Sequence, residues 1–337
     1  MTADIATGAD IRIDAPLTEE ASSSLADDVL DGLTRPFKQL PPKHLYDARG
    51  SELFEQICEL PEYYPTRCER QILTQRAEEI VARAQPAELV ELGSGAADKA
   101  RVLLDAMRTT GRPLRYVPVD VSESALRGSA ERLCLEYPGL SVHGVVGDFE
   151  RHLDHLPDAP AAGRGGRLVA FLGGTIGNFT PGTRRGFLRR MGATLDPADR
   201  LLLGCDLVKE PAVLEAAYND ASGVTAAFNR NVLEVVNREL AGDFDPGAFA
   251  HVAFFDRERE WIEMRLRADA AQTVRIAQLD LEVRFAAREE LLTEISTKFT
   301  PERLEADLAA GGLALEAMWT DADGLFALAL ALARPAR

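Results

Sequence analysis

The segment VELGSGAADK, residues 90–99, sets Gly93 and Gly95 directly behind a run of apolar residues. Glycines there let a backbone turn tightly and approach a ligand with no Cβ in the way. A dinucleotide fingerprint wants a third glycine at position 98, where this chain has Asp98, so a pyrophosphate cradle is disfavoured. Asp120 closes RYVPVD, 27 residues after Gly93, where a carboxylate can accept both hydroxyls of a ribose. Asp148-Phe149 closes VVGDFE, where a carboxylate can bind an adenine amine while a ring covers the base. A single Asp at a strand end is more often a helix cap. In an open parallel sheet, however, ligands bind beyond the carboxyl ends of the strands, and all three features fall there in consecutive strands. Together they predict a nucleoside-binding crevice.

The elements that must position these residues are legible around them. From about Glu69, a helix (QILTQRAEEIVARA) leads to strand AELVELG, helix DKARVLLDAMR, strand RYVPVDV, helix SESALRGSAERLCLEY and strand SVHGVVGDF. Strand GRLVAFLGG, helix TRRGFLRRMGATL and strand DRLLLGCDL follow. Short, nearly continuous apolar strands alternating with amphipathic helices predict an α/β fold with a doubly wound parallel sheet over roughly 69–208. Beyond Val208 a helical region (PAVLEAAYND, AAFNRNVLEVVNREL) precedes strand-like WIEMRLRAD, TVRIAQLDLEVRF and LLTEISTKF. A helix (PERLEADLAAGG) and a strand (GLFALALAL) close the chain. The expected organisation is a sheet domain of 68–208 plus 299–337 and a second, smaller α/β unit of 17–67 plus 209–298. Residues 1–16 are expected to form a flexible tail. Glu91, two residues before Gly93, is the acid typical of loops that bind S-adenosylmethionine (SAM), which face an amino acid and a ribose.

Composition narrows the partners. The 337 residues carry 38 Lys+Arg against 54 Asp+Glu, a net charge of −16, which argues against nucleic acid or an anionic membrane as main partner. Cys58, Cys68, Cys134 and Cys205 are scattered without a Cys-x-x-Cys pair, as in a reduced cytoplasmic protein with neither disulfide frame nor zinc site. His152 and His155 in HLDH have ligand-like spacing, but Pro157 and Pro160 follow closely, so a solvated loop is expected and no metal. The longest apolar run, Leu325 to Ala333, is about half the ~20 residues of a membrane span. The N-terminal MTADIATGADIRID lacks an apolar core, so no secretory signal is expected. The absence of heptads favours a monomer.

ELGSG, the VPVD and GDFE strand ends, FLGGTIGNF and the block PPKHLYDARGSELFEQI–LPEYYPTR closely resemble the SAM-dependent histidine Nα-methyltransferases of ergothioneine biosynthesis. TAAFNRNVLEVVNREL and LLTEISTKF extend the resemblance from about residue 25 to the C-terminus. Two departures are Ala96, where Thr is familiar, and Gly174, where Ser is. The resemblance implies a Rossmann-like SAM-binding sheet with a substrate-binding domain. It also implies three successive methylations of the L-histidine α-amine, through the mono- and dimethylated forms, to the betaine hercynine. Gly93, Asp120, Asp148 and Phe149 match the family's cofactor residues. Tyr46 resembles a tyrosine at the junction of cofactor and substrate amine, in a catalytic and cofactor-binding role. Lys99 resembles the lysine that pairs with the methionyl carboxylate of SAM; a solvated helix lysine is its plain alternative. Tyr63, Asn178 and Tyr218 resemble the groups that hold the substrate carboxylate, with hydroxyls and an amide in place of a cation. Met264 resembles a residue lining the side-chain pocket; a core methionine is the alternative.

Glu294 and Ser296 carry the specificity argument. Residues two apart on a strand share a face, so in LLTEISTKF these two project together while Ile295 points away. A carboxylate and a hydroxyl so spaced can address the two nitrogens of an imidazole. A half-exposed strand with polar residues outward reads equally well from spacing alone. The rival functions are a SAM-dependent N-methyltransferase for another amino acid or small amine, and a non-catalytic SAM sensor.

Overall fold

The structure, a computed structural model, describes residues 10–15, 25–95, 97–149, 153–158 and 165–334. Residues 1–9 and 16, Leu17, Ala96 and His152 lie outside the described residues. The chain runs β1 (Asp10–Asp14), α1 (Leu25–Leu33), β2 (Lys38–Gln39), α2 (Ala48–Cys58) and α3 (Tyr64–Ala84). It continues as β3 (Pro86–Leu92), α4 (Asp98–Arg108), β4 (Arg115–Asp120), α5 (Glu123–Glu136), β5 (Ser141–Val146), β6 (Gly166–Phe171), α6 (Pro181–Thr194) and β7 (Arg200–Asp206). Then come α7 (Pro211–Tyr218), α8 (Val224–Leu240), β8 (Phe249–Asp256), β9 (Trp261–Ala268), β10 (Gln272–Ile276), β11 (Leu281–Phe285) and β12 (Glu290–Thr297). The chain closes with α9 (Pro301–Ala310), β13 (Leu313–Thr320) and β14 (Phe326–Ala333).

Helix starts follow from local chemistry. Asp47, Ser122, Thr180 and Thr300 each accept an amide of the first turn of α2, α5, α6 and α9, and α6, α7 and α9 open on proline. Such caps satisfy amides that have no partner inside the helix.

Eight strands form the central sheet in the order β1-β5-β4-β3-β6-β7-β14-β13. Strands β3, β6 and β7 are buried along nearly their whole length, as continuous apolar runs demand. Their alternate residues feed two cores. Val90, Val169, Leu201 and Leu203 pack with Phe187 and Met191 of α6 on one face. Leu89, Leu168 and Leu202 pack with Ile72 and Leu73 of α3 on the other. That second core runs on without a break through Phe228, Met264 and Leu266 to a four-stranded sheet ordered β2-β12-β9-β8.

The five strands β3 to β7 pair parallel throughout, as expected of 69–208, and the differences lie outside them. The central sheet is mixed, because β14 pairs antiparallel with β7 and β13 antiparallel with β14. β13 escaped the sequence reading: its helix-forming residues mask it, and a register shift between Leu315 and Ala317 breaks its alternation. Residues 10–14, expected in the tail, form an edge strand parallel to β5, where Ser141 Oγ and His143 Nε2 reach Asp10 and Asp14 at 2.6 and 2.7 Å. Beyond Val208, β8 was also unforeseen, and TVRIAQLDLEVRF is the hairpin β10–β11.

Candidate active site

Strand order reverses between β3 and β6, and a crevice opens beyond the carboxyl ends of strands at such a switch point. The loop after β3 turns at Gly93 and Gly95, whose φ values of 74° and 48° favour glycine. Gly93 N–H donates to the Val119 carbonyl at 2.8 Å and Gly95 N–H to Asp120 Oδ2 at 3.0 Å, tying the loop to the end of β4. A Cβ on Gly93 would lie 3.6 Å from the Phe149 ring. Phe149 itself leans edgewise on Phe171, centroids 5.1 Å apart, directly after the half-buried Asp148. The structure thus brings Gly93, Asp120 and Phe149 together, with Asp148 directly before Phe149. Open backbone at the loop, a carboxylate at the end of β4 and a carboxylate-ring pair after β5 fit a nucleoside.

Glu91 serves this loop from below. It is buried and accepts the Tyr116 hydroxyl at 2.5 Å; burial pushes its carboxyl up to about 7, against the pull of Tyr116 and Lys99. Lys99 is half-buried and paired. Its ammonium lies 2.5 Å from Glu69 Oε2, and Glu69, wholly buried, also accepts the Gly173 amide at 2.8 Å. One acid therefore joins the helix after the Gly93 loop to the loop after β6.

That second loop reaches the other half of the site. Gly173 and Gly174 have φ of 79° and 70°, so the Gly174 departure puts the least strained residue at a left-handed position. The short turn Thr175–Asn178 follows, and a Cβ on Gly177 would meet the Thr297 carbonyl oxygen at 2.8 Å and Ser296 Oγ at 3.6 Å. Phe179, next in the chain, stands 6.4 Å from Phe149. The half-buried Asn178 is thus carried on a segment that touches β12 and the nucleoside-side ring.

Glu294 pairs across the sheet with Met264, and Ser296 with Ile262. A bulge at Thr293 precedes them, so the alternation from Glu294 onward is regular and the two side chains share a face. Glu294 is buried, makes no hydrogen bond among the described residues, and is pushed up to about 7 by burial, with Lys298 pulling down. The Tyr218 hydroxyl is 2.8 Å from Ser296 Oγ. Tyr63 packs edgewise on Tyr218 at 6.2 Å and on Phe54 at 6.1 Å, and Phe54 packs on Tyr46 at 5.4 Å. Tyr46 is 39% exposed, yet burial and the nearby Glu294 carboxylate hold its phenol far above its usual range.

Beneath Tyr218 and Ser296 lies a charge cluster the sequence reading missed. Lys298, 0% exposed, donates to Tyr218 Oη and Ser296 Oγ, both at 2.9 Å, and lies 2.7 Å from Asp206 Oδ2. Asp206 also takes Lys209 at 2.5 Å and the Tyr64 hydroxyl at 2.8 Å. Burial would raise the Asp206 carboxyl, but Lys298 and Lys209 bring it below its usual range. A cation thus stands behind the two hydroxyls. The signal was available: Lys298 is two residues past Ser296, hence on its face, and Asp206 closes a strand just as Asp120 does.

The chain matches, over residues 25–333, a family model described as histidine-specific methyltransferase, SAM-dependent. It is 55% identical over 314 residues to a histidine N-alpha-methyltransferase of Mycolicibacterium smegmatis, covering 93% of this chain and 96% of that one. With a protein of the same name from Mycobacterium tuberculosis it is 52% identical over 309 residues, 91% and 94% of the two chains. An L-tryptophan methyltransferase of Psilocybe serbica is 28% identical over 333 residues, 89% and 90% of the two chains.

Proposed function

This chain belongs to the SAM-dependent, histidine-specific methyltransferase family, and from that premise we propose that it methylates the α-amine of L-histidine three times in succession, giving hercynine in ergothioneine biosynthesis. The observation that carries the reading is the junction at Thr175–Phe179. This segment meets Ser296 and Thr297 through Gly177 and Phe149 through Phe179, which supports an imidazole pocket of Glu294 and Ser296 next to a nucleoside site of Gly93, Asp120, Asp148 and Phe149.

SAM, when bound, supplies an electrophilic sulfonium methyl. In this reading Asp120 accepts the ribose hydroxyls, Asp148 and Phe149 hold the adenine, and Lys99, steadied by Glu69, faces the methionyl carboxylate. Tyr63, Asn178 and Tyr218 hold the histidine carboxylate, Glu294 and Ser296 take the ring nitrogens, and Met264 lines the ring pocket. Tyr46 stands at the junction as a neutral phenol, which positions the amine by a hydrogen bond and does not take its proton outright. The amine's proton leaves to water before each attack. Alignment is the chain's main contribution, worth up to ~7–11 kcal/mol in favourable intramolecular cases.

In this reading a unit of 68–208 plus 299–337 would hold most cofactor residues, and one of 17–67 plus 209–298 most substrate residues. We place the enzyme in the cytoplasm as a monomer. Four free cysteines and a net charge of −16 support that setting. The test is incubation of the purified chain with SAM and each of the twenty amino acids, with products read by mass spectrometry. A gain of three methyls on histidine alone is expected. Product from another amino acid overturns the imidazole reading, and product from none overturns the enzyme reading.

A further inference from the structure

Resting on the substrate reading above, the cluster under Tyr218 and Ser296 fixes a proton count. Lys298 has three N–H donors and no acceptor. They go to Asp206 Oδ2, Tyr218 Oη and Ser296 Oγ at 2.7, 2.9 and 2.9 Å, so the ammonium is saturated. Tyr218 and Ser296 share one hydrogen bond at 2.8 Å, which uses one of their two hydroxyl protons. One proton therefore remains to face a ligand. When Tyr218 gives it to a carboxylate, Ser296 must donate to Tyr218. Its oxygen, already accepting from Lys298, then has a single lone pair left and can only accept.

We propose that the Tyr218–Ser296 hydroxyl pair, held on the Lys298 ammonium, sets the protonation of the substrate: Ser296 spends its proton on Tyr218 whenever Tyr218 holds the carboxylate, so Ser296 can only accept and the ring nitrogen facing it must carry a proton. With Glu294 on the second nitrogen, ring and carboxyl together hold two protons, as imidazolium-carboxylate or as imidazole-carboxylic acid. The groups around Ser296 that bear on this count are Lys298 and Glu294 on its own strand, Asp206 at the end of β7 and Tyr218 on α7, with Tyr46 and Tyr63 held as neutral phenols.

Above pH 8 free histidine has a neutral ring with one proton, its ordinary ring pKa being about 6.5. Glu294, near 7, is then mostly ionised. Binding thus takes up about one proton at the ring. The experiment is calorimetric titration of histidine into the full chain loaded with S-adenosylhomocysteine at pH 8.5, in buffers of different ionisation enthalpy. Wild type is compared with Ser296→Ala and Tyr218→Phe. In Tyr218→Phe the Ser296 proton is freed to reach an unprotonated ring nitrogen, in Ser296→Ala that nitrogen has no acceptor to face, and in both uptake falls by about one proton per histidine. Any proton lost from the α-amine is common to all three proteins and cancels. The KM for histidine should likewise rise less steeply between pH 7 and 9 in the variants. Tyr218→Phe, which keeps the ring, carries the test if Ser296→Ala does not fold. Equal proton numbers in wild type and the folded variants overturn the proposal while the substrate reading stands. No histidine binding by wild type overturns both.

Discussion

Replacing Glu294 by Gln keeps the side chain's size and removes its charge, and the structure sets two opposite consequences. Glu294 is buried, has no hydrogen-bond partner among the described residues, and is pushed from an ordinary 4.5 up to about 7. A carboxyl raised in the folded state binds protons more tightly there than in the unfolded chain, so it destabilises the fold as pH rises from 4.5 through 7. At about 1.4 kcal/mol per pH unit, that gap amounts to roughly 3 kcal/mol, absent at pH 4 and fully present above pH 7. Glu294→Gln has no such dependence. Relative to wild type, the ligand-free variant should gain about 3 kcal/mol between pH 5 and 8. With an unfolding entropy near 2.1 cal/mol/K per residue, that is about 4 °C in Tm for a chain this long. Glu91, also near 7, is common to both proteins and cancels. Catalysis should move the other way. A hydrogen bond to a charged group, about 1.5–3 kcal/mol, is lost from the imidazole, so the histidine KM should rise roughly 10- to 150-fold with SAM affinity unchanged. Paired thermal melts at pH 5 and 8 and initial rates against histidine provide the assay. Parallel wild-type and variant melting temperatures across that range would refute the argument that Glu294 is a strained, unpartnered acid.

Asp206→Asn should cost roughly 3–5 kcal/mol in urea unfolding, because it leaves Lys298 and Lys209 buried without their counter-charge; a loss under 1 kcal/mol would mean the two lysines find other partners. Gly177→Ala forces a Cβ to within 2.8 Å of the Thr297 carbonyl oxygen, an overpacking worth about 1–3 kcal/mol. Histidine KM should rise while binding of S-adenosylhomocysteine stays within twofold, and an unchanged KM would sever that turn from the substrate pocket. Asp120→Ala removes the proposed ribose acceptor and the partner of the Gly95 amide, and should weaken S-adenosylhomocysteine by about 10- to 150-fold in calorimetry. Wild-type affinity would move the ribose elsewhere.

What could be read in the sequence was what is local. The apolar runs around Leu89, Leu168 and Leu202 announce strands buried on both faces, and Gly93, Asp120 and Asp148 sit at the ends where a nucleoside site belongs. The parity of Glu294 and Ser296 survived because the bulge at Thr293 falls just before them; one residue later it would have parted them. What could not be read were partnerships between distant segments. Nothing near Lys298 announces Asp206, 92 residues away in the chain, and Glu69 looks like one more charge on a helix until it meets Lys99 and Gly173. The edge strands β1 and β13 were missed for a different reason: an edge strand is held by backbone pairing, which leaves little trace in side-chain pattern. DIRID also carries as many acids as apolar residues.

The pairings that finish the site join residues made far apart in time. Lys38 lies opposite Leu291, and Asp206 opposite Phe326. During translation the Gly93 loop, Asp120 and Asp148 leave the ribosome early, whereas Glu294, Ser296 and Lys298 follow near the end, and the strand that seats Asp206 comes later still. Contacts so distant in the chain are slow to form, since loop closure precedes their reward. The proposed amino-acid pocket is therefore finished after the loops proposed to hold the nucleoside have been made. A polypeptide halted before Phe326 carries the Gly93, Asp120 and Asp148 loops with an unpaired β7 edge, a form exposed to aggregation and proteolysis that pairing with β14 conceals.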